Sequence, residues 1–186
     1  MIEQLYLKEA DIVGVSTPGI LGTLIKTFSR SPWEEPTQLT HVGLISVRGD
    51  ISQVPLLESL MYVREHGLYR QYADTKSKVC IFRPKLDYEN RIKVVNRARE
   101  HIGKKYNYPA LVFHLFDYFL GGRYVFRRLA GYEDYPICSW LDSDAFWYVM
   151  RWTFGVPPGM AQPDDIWDYC LSHHDKYEMV RELSYL

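Results

Sequence analysis

Cys138, His41 and Glu58 stand in local contexts that suit the three roles of thiol acyl-transfer chemistry. Cys138 follows Pro136 and opens the run SWLDSDAFWYVM, in which Leu141, Ala145, Phe146, Val149 and Trp152 recur at helical spacing. Its sulfur is therefore predicted at a helix N-terminus, where free backbone amides and the helix dipole favour a thiolate. His41 lies in the β-rich run LTHVGLISV and Glu58 in a second one, SQVPLLESL. A nucleophile, a base and a carboxylate that orients the base are the parts such chemistry requires.

The remaining cysteines and histidines have plainer accounts. Cys80 sits mid-strand in KVCIF and reads as a small buried hydrophobe. Cys170, in DYCLSHH, would be half a metal site, but no second ligand pair stands at zinc spacing, so neither a metal nor a cofactor is expected. His66, His101 and His114, taken singly, read as structural or solvent-facing. Three widely spaced cysteines do not make a disulfide framework and leave at least one thiol free.

The two β-rich runs flank Arg48-Gly49-Asp50-Ile51, and a Gly-Asp pair between such runs signals a two-residue hairpin. If Arg48 pairs with Ile51, the same register sets His41 directly opposite Glu58. Opposed β-carbons lie roughly 4.5–5.5 Å apart, within reach of an imidazole–carboxylate hydrogen bond. A bulge would shift the pairing by one residue and send Glu58 to the other face. Further strands are expected at IVGVS, YVRE, LYRQYA and KVCIFRP, forming a mostly antiparallel sheet.

Helices are expected after Pro18-Gly19 in GILGTLIKTF, and over 88–102, where Ile92, Val95, Ala98 and Ile102 share a face between an Asp87 N-cap and a Gly103 stop. The Cys138 helix is expected to end at Pro157-Pro158, and a last short helix spans Asp164 to Leu171 after Pro163. The aromatic, partly basic stretch at about 107–135 has the composition of a lid or insertion over a site.

The 186 residues suit one domain, 1–186, with a substantial core. A hydrophobic content of 47% and a net charge of -1 exclude a disordered chain and argue against nucleic acid as a partner. The N-terminal run MIEQLYLKEADIV lacks the basic start and apolar core of a secretory signal, and no apolar run spans a membrane, so a cytoplasmic location is expected.

The stretches ADIV, LTHVGLI, LLES, GKKYN, YPICSWLDSDAF and PDDIW span most of the chain. Together they resemble the YiiX-like family of circularly permuted NlpC-type papain-like cysteine amidases. The order His41, Glu58, Cys138 is the one expected after permutation, because unpermuted relatives place the cysteine helix first. The resemblance implies an α+β papain-like fold, with a mostly antiparallel sheet packed against helices. It also implies Cys138 as nucleophile, His41 as general base and Glu58 as the group holding the imidazole. The Cys138 amide would be one oxyanion donor, with Tyr106 and Ser139 completing the oxyanion or substrate-binding wall.

The activity implied is hydrolysis of peptide, isopeptide or cell-wall-type amide bonds, with a peptide-like or acyl-amide substrate as partner. Two alternatives stand beside it. One is a lipid acyltransferase or thioesterase of the lecithin retinol acyltransferase type, working at a membrane surface through ALVFHLFDYFL and the arginines after it. The other is a fold that binds without catalysing.

Overall fold

The computed structural model of the protein describes residues 5–19, 22, 23, 26, 37–105 and 137–186. The expected lid at about 107–135, Tyr106, His114 and most of the GILGTLIKTF helix lie outside the described residues. Eight strands are described. β1 (Tyr6–Leu7) pairs with β4 (Gly49–Asp50) in a small two-stranded sheet. The other six are β2 (Ile12–Ser16), β3 (His41–Ile45), β5 (Pro55–Ser59), β6 (Val63–Gly67), β7 (Lys78–Pro84) and β8 (Tyr177–Ser184). They form one sheet in the order β6-β5-β3-β2-β7-β8, with every neighbouring pair antiparallel.

Alternation along the strands sends successive side chains to opposite faces. One face of the sheet carries Ile12, Val42, Leu44, Leu57, Cys80 and Phe82 into a core shared with the helices. The other carries Val13, Val15, Ile45, Leu56, Val79 and Ile81, with Leu68 and Tyr72 packed against them. Being buried on both faces, β2 and β3 read as continuous apolar runs.

Helix α1 (Leu68–Tyr72) occupies the segment LYRQYA, where a strand is expected. Its Leu68 and Tyr72 are buried four residues apart, a spacing that suits a helix but that a run this short does not distinguish from strand alternation. Helix α2 (Tyr88–Arg99) starts as expected, with the Asp87 carboxylate accepting from the Asn90 amide at 2.8 Å. Its buried stripe is Arg91, Val94, Val95 and Ala98, so the expected face is rotated: Ile102 is 49% exposed and lies beyond the helix.

Helix α3 (Cys138–Met150) packs on β3, β5 and α2. It ends where Arg151 adopts the left-handed conformation, φ 57°, well before the prolines expected to break it. Trp152 lies past that end. Helix α4 (Pro163–Ser172) opens with Pro163 and a capping box between Gln162 and Asp165. The closing strand β8, which the sequence reading does not contain, borders β7 with two register irregularities.

Asp11, fully buried, ties sheet to helix: it accepts from Arg83 of β7 at 2.7 Å and from Arg91 of α2 at 3.0 Å. Among the described residues no helix is long and apolar enough to cross a membrane.

Candidate active site

The register that positions Glu58 differs from the one expected. β3 and β5 pair Leu44 with Leu57 and Ile45 with Leu56, which continues to Gly43 opposite Glu58 rather than His41. The cause lies in the connection. Gly49–Asp50 is drawn off as β4 to pair with β1, and the chain reverses at 51–53, where the Asp50 carboxylate accepts from the Ser52 amide at 2.9 Å. The shift amounts to two residues, so His41 and Glu58 stay on one face and meet along a diagonal.

His41 Nε2 lies 2.5 Å from Glu58 Oε2. Glu58 is fully buried, and two further groups meet it: His66 Nε2 at 2.6 Å from Oε1, and the Tyr72 hydroxyl, donating at 2.8 Å to Oε2. Burial alone would raise the Glu58 pKa, but the His41 charge and the three hydrogen bonds bring it down to about 2. Burial and the Glu58 charge hold the Tyr72 phenol well above its ordinary value, so it remains a donor.

A carboxylate only accepts, so both Nε2 atoms facing Glu58 carry their protons. That leaves Nδ1 of His41 for its other partner, the Cys138 side chain. Cys138 is the first residue of α3 and is 5% exposed. Burial pushes its thiol pKa up; the charge and hydrogen bond of His41, together with the backbone amides of Val42 and Ser139, pull it below the ordinary value. His41 shows the complementary shift: burial lowers its pKa, but the Cys138 and Glu58 charges raise it well above the usual imidazole range. The two shifts favour a thiolate–imidazolium pair.

The structure thus brings Cys138, His41 and Glu58 into one hydrogen-bonded chain. Ser139 lies beside it, but its buried hydroxyl donates to the Ala161 carbonyl at 2.6 Å, so its backbone amide is what it turns to Cys138. The other cysteines behave oppositely. Burial pushes Cys80 up to about 12 and Cys170 well above its ordinary value. His101 rests edge-on against Trp140 and 3.3 Å from Asp144, and His173 stacks on Tyr169.

Sequence reasoning missed three members of this neighbourhood. His66 is a diagonal neighbour of Glu58 on β6, visible only once the β5–β6 register is known. Tyr72 could not be placed while LYRQYA was read as a strand. Asp142, one helical turn after Cys138, is fully buried, and among the described residues neither carboxylate oxygen has a hydrogen-bond partner. Burial, reinforced by the Cys138 charge, holds its carboxyl well above the usual carboxylate range.

A mostly antiparallel sheet packed against helices, with a cysteine opening the helix that crosses it, defines an α+β papain-like fold. Among solved structures, the chain is similar to the crystal structure of the metalloprotein YiiX from Escherichia coli O157:H7, with a TM-score of 0.57 and 16% identity, covering 80% of this chain and 69% of that one. The likeness is one of fold. No protein-family model matches the chain, and no curated protein matches it.

The word metalloprotein belongs to that neighbour. Among the described residues of this chain, no group of three or more His, Cys, Asp or Glu side chains is arranged to hold a metal ion. The donors nearest Glu58 are otherwise engaged, since both Nε2 atoms present protons to its oxygens.

Proposed function

We propose that the protein is a cysteine hydrolase that cleaves amide bonds in peptide-like substrates through an acyl-enzyme. The observation that carries this reading is the hydrogen-bonded chain from Cys138 through His41 to Glu58, with the thiol pKa drawn down and the imidazole pKa drawn up.

The Cys138 thiolate attacks the substrate carbonyl carbon, and the carbonyl π pair moves to oxygen. The resulting oxyanion sits at the N-terminus of α3, where the Cys138 amide donates to it. As the intermediate collapses, the C–N bond breaks and the His41 Nδ1 proton passes to the departing amine, leaving a thioester and neutral His41. Neutral His41 then takes a proton from water, which attacks the thioester and releases acid and Cys138. Glu58 stabilises the imidazolium on both sides of this cycle, more strongly than a neutral amide in its place would.

The test is the pH dependence of iodoacetamide labelling at Cys80, Cys138 and Cys170, read by peptide mass spectrometry in wild type and His41→Ala. Cys138 alone is expected to react, with an apparent pKa well below the reference of about 8.5, and His41→Ala is expected to remove that advantage. Turnover of short amide substrates is expected to vanish in Cys138→Ala. A Cys138 that titrates like an ordinary thiol would overturn the assignment.

A further inference from the structure

Glu58 has to serve His41 from a fully buried position, so what holds its carboxylate decides how well it holds the imidazole. Its two oxygens have different duties: Oε2 takes His41 at 2.5 Å and the Tyr72 hydroxyl at 2.8 Å, and Oε1 takes His66 at 2.6 Å. We propose that His66 is a positioning residue of the catalytic site, which anchors Oε1 of Glu58 so that Oε2 stays aimed at His41 and the Nδ1 face of that ring stays turned to Cys138. The inference rests on the function proposed above and extends it by a residue that reaches the site through Glu58.

Three features support the assignment. His66 and Glu58 stand on neighbouring strands in the fixed antiparallel register Leu56↔His66, Glu58↔Arg64, so the imidazole reaches the carboxylate along a sheet diagonal without a flexible loop between them. The side chain of His66 is largely covered, at 17% exposure, which confines its rotamers. Its role is also distinct from that of Tyr72: the phenol shares Oε2 with His41, and His66 is the described hydrogen-bond donor to Oε1. Without it, a buried carboxylate oxygen loses its donor, and rotation of the carboxylate toward Tyr72 or toward solvent takes Oε2 off His41. Geometry at the nucleophile is thereby set two hydrogen bonds away.

The chemistry identifies the replacement that should work. Gln carries an N–H donor at nearly the reach of an imidazole Nε2 and is neutral, Asn is too short to reach Oε1, and Leu has no donor.

The experiment is iodoacetamide labelling of Cys138 from pH 4 to 10 in wild type, His66→Leu, His66→Asn and His66→Gln, with labelling of buried Cys80 and Cys170 as the internal measure of folding. His66→Leu and His66→Asn are expected to slow Cys138 labelling at pH 6 at least tenfold and to move its apparent pKa upward. His66→Gln is expected to stay within about threefold of wild type. Equal profiles in all four proteins would overturn the proposal while leaving the Cys138–His41 pair intact, whereas an ordinary thiol profile in wild type would remove the function itself. If Leu and Asn expose Cys80 and Cys170 by unfolding, His66→Gln decides: a folded Gln variant that has lost the low-pH reactivity overturns the proposal, and one that keeps it supports a hydrogen-bonding role.

Discussion

Gly43 stands opposite Glu58 on the paired strands, and its missing side chain is the space that Glu58 occupies: a β-carbon at position 43 would lie 2.9 Å from that of Glu58 and 2.9 Å from the Leu57 carbonyl oxygen. Both contacts are closer than packed atoms tolerate, and one of them is to backbone. Gly43→Ala is therefore expected to move Glu58 and open the 2.5 Å bond to His41. Overpacking of this kind costs about 1–3 kcal/mol, measurable by urea unfolding. At the nucleophile, the expected result is a fall in Cys138 alkylation at pH 6 of roughly tenfold, equivalent to one pKa unit. Wild-type reactivity in Gly43→Ala would show that the carboxylate position does not govern the thiolate.

Glu58 also makes stability depend on acidity. Its folded-state pKa of about 2 lies below an ordinary value of 4.5, so the folded chain releases this proton more readily than the unfolded chain. The stabilisation is complete above pH 4.5 and is lost as pH falls through 4.5 towards 2, amounting to about 3 kcal/mol at one pKa unit per 1.36 kcal/mol. Glu58→Gln removes the titrating group. The stability gap between wild type and Glu58→Gln is expected to narrow over that interval, as read by denaturant titrations at successive pH values. A gap that does not change with pH would mean that folding leaves the Glu58 pKa at its ordinary value.

How far the site was legible depends on which physical signal carried each part. Helical spacing placed Cys138 at the start of α3, because the stripe Leu141, Ala145, Phe146 is buried as read. The hairpin illustrates a partial success. The turn chemistry of Gly49-Asp50 was read locally, but those residues pair with β1, a tertiary competitor that no local signal announces. His41 and Glu58 still share a face because strand periodicity is 2 and the displacement was even. β8 was missed because it is a half-exposed strand whose pairing with β7 slips twice, which blurs its alternation. His66 and Tyr72 were missed because contacts across β5, β6 and α1 depend on registers that residue types alone do not specify.

Asp11 offers a test of the scaffold apart from the site. It is fully buried between Arg83 and Arg91, and the latter also donates to the Glu9 backbone carbonyl at 2.8 Å. Removing one member of a buried ionic group leaves the others uncompensated, at a cost of about 3–5 kcal/mol. Asp11→Ala is expected to lose that much in urea unfolding. The replacement lies at the far end of β2 from Val15, which pairs with His41, so the Cys138 pH profile of the folded fraction is expected to match wild type. A shifted profile would mean that sheet and site are coupled through β2.

Asp142 should work against stability at neutral pH, and the sign follows from its setting. Its carboxyl is fully buried, neither oxygen has a hydrogen-bond partner among the described residues, and burial, with the Cys138 charge beside it, holds its pKa well above the ordinary 3.8. The folded chain keeps a proton that the unfolded chain gives up above pH 3.8, so the unfolded state gains relative stability as pH rises from there. Asp142→Asn keeps the shape and removes the ionisation. It is expected to match wild type near pH 3 and to exceed it at pH 7. The exchange adds no charge beside Cys138, and the Cys138 labelling profile is expected to be preserved. Thermal melts of the two proteins at pH 3 and pH 7 are the check. A constant difference between them at both pH values would mean that Asp142 is ionised in the folded protein, held by a partner that the hydrogen bonds described above do not contain.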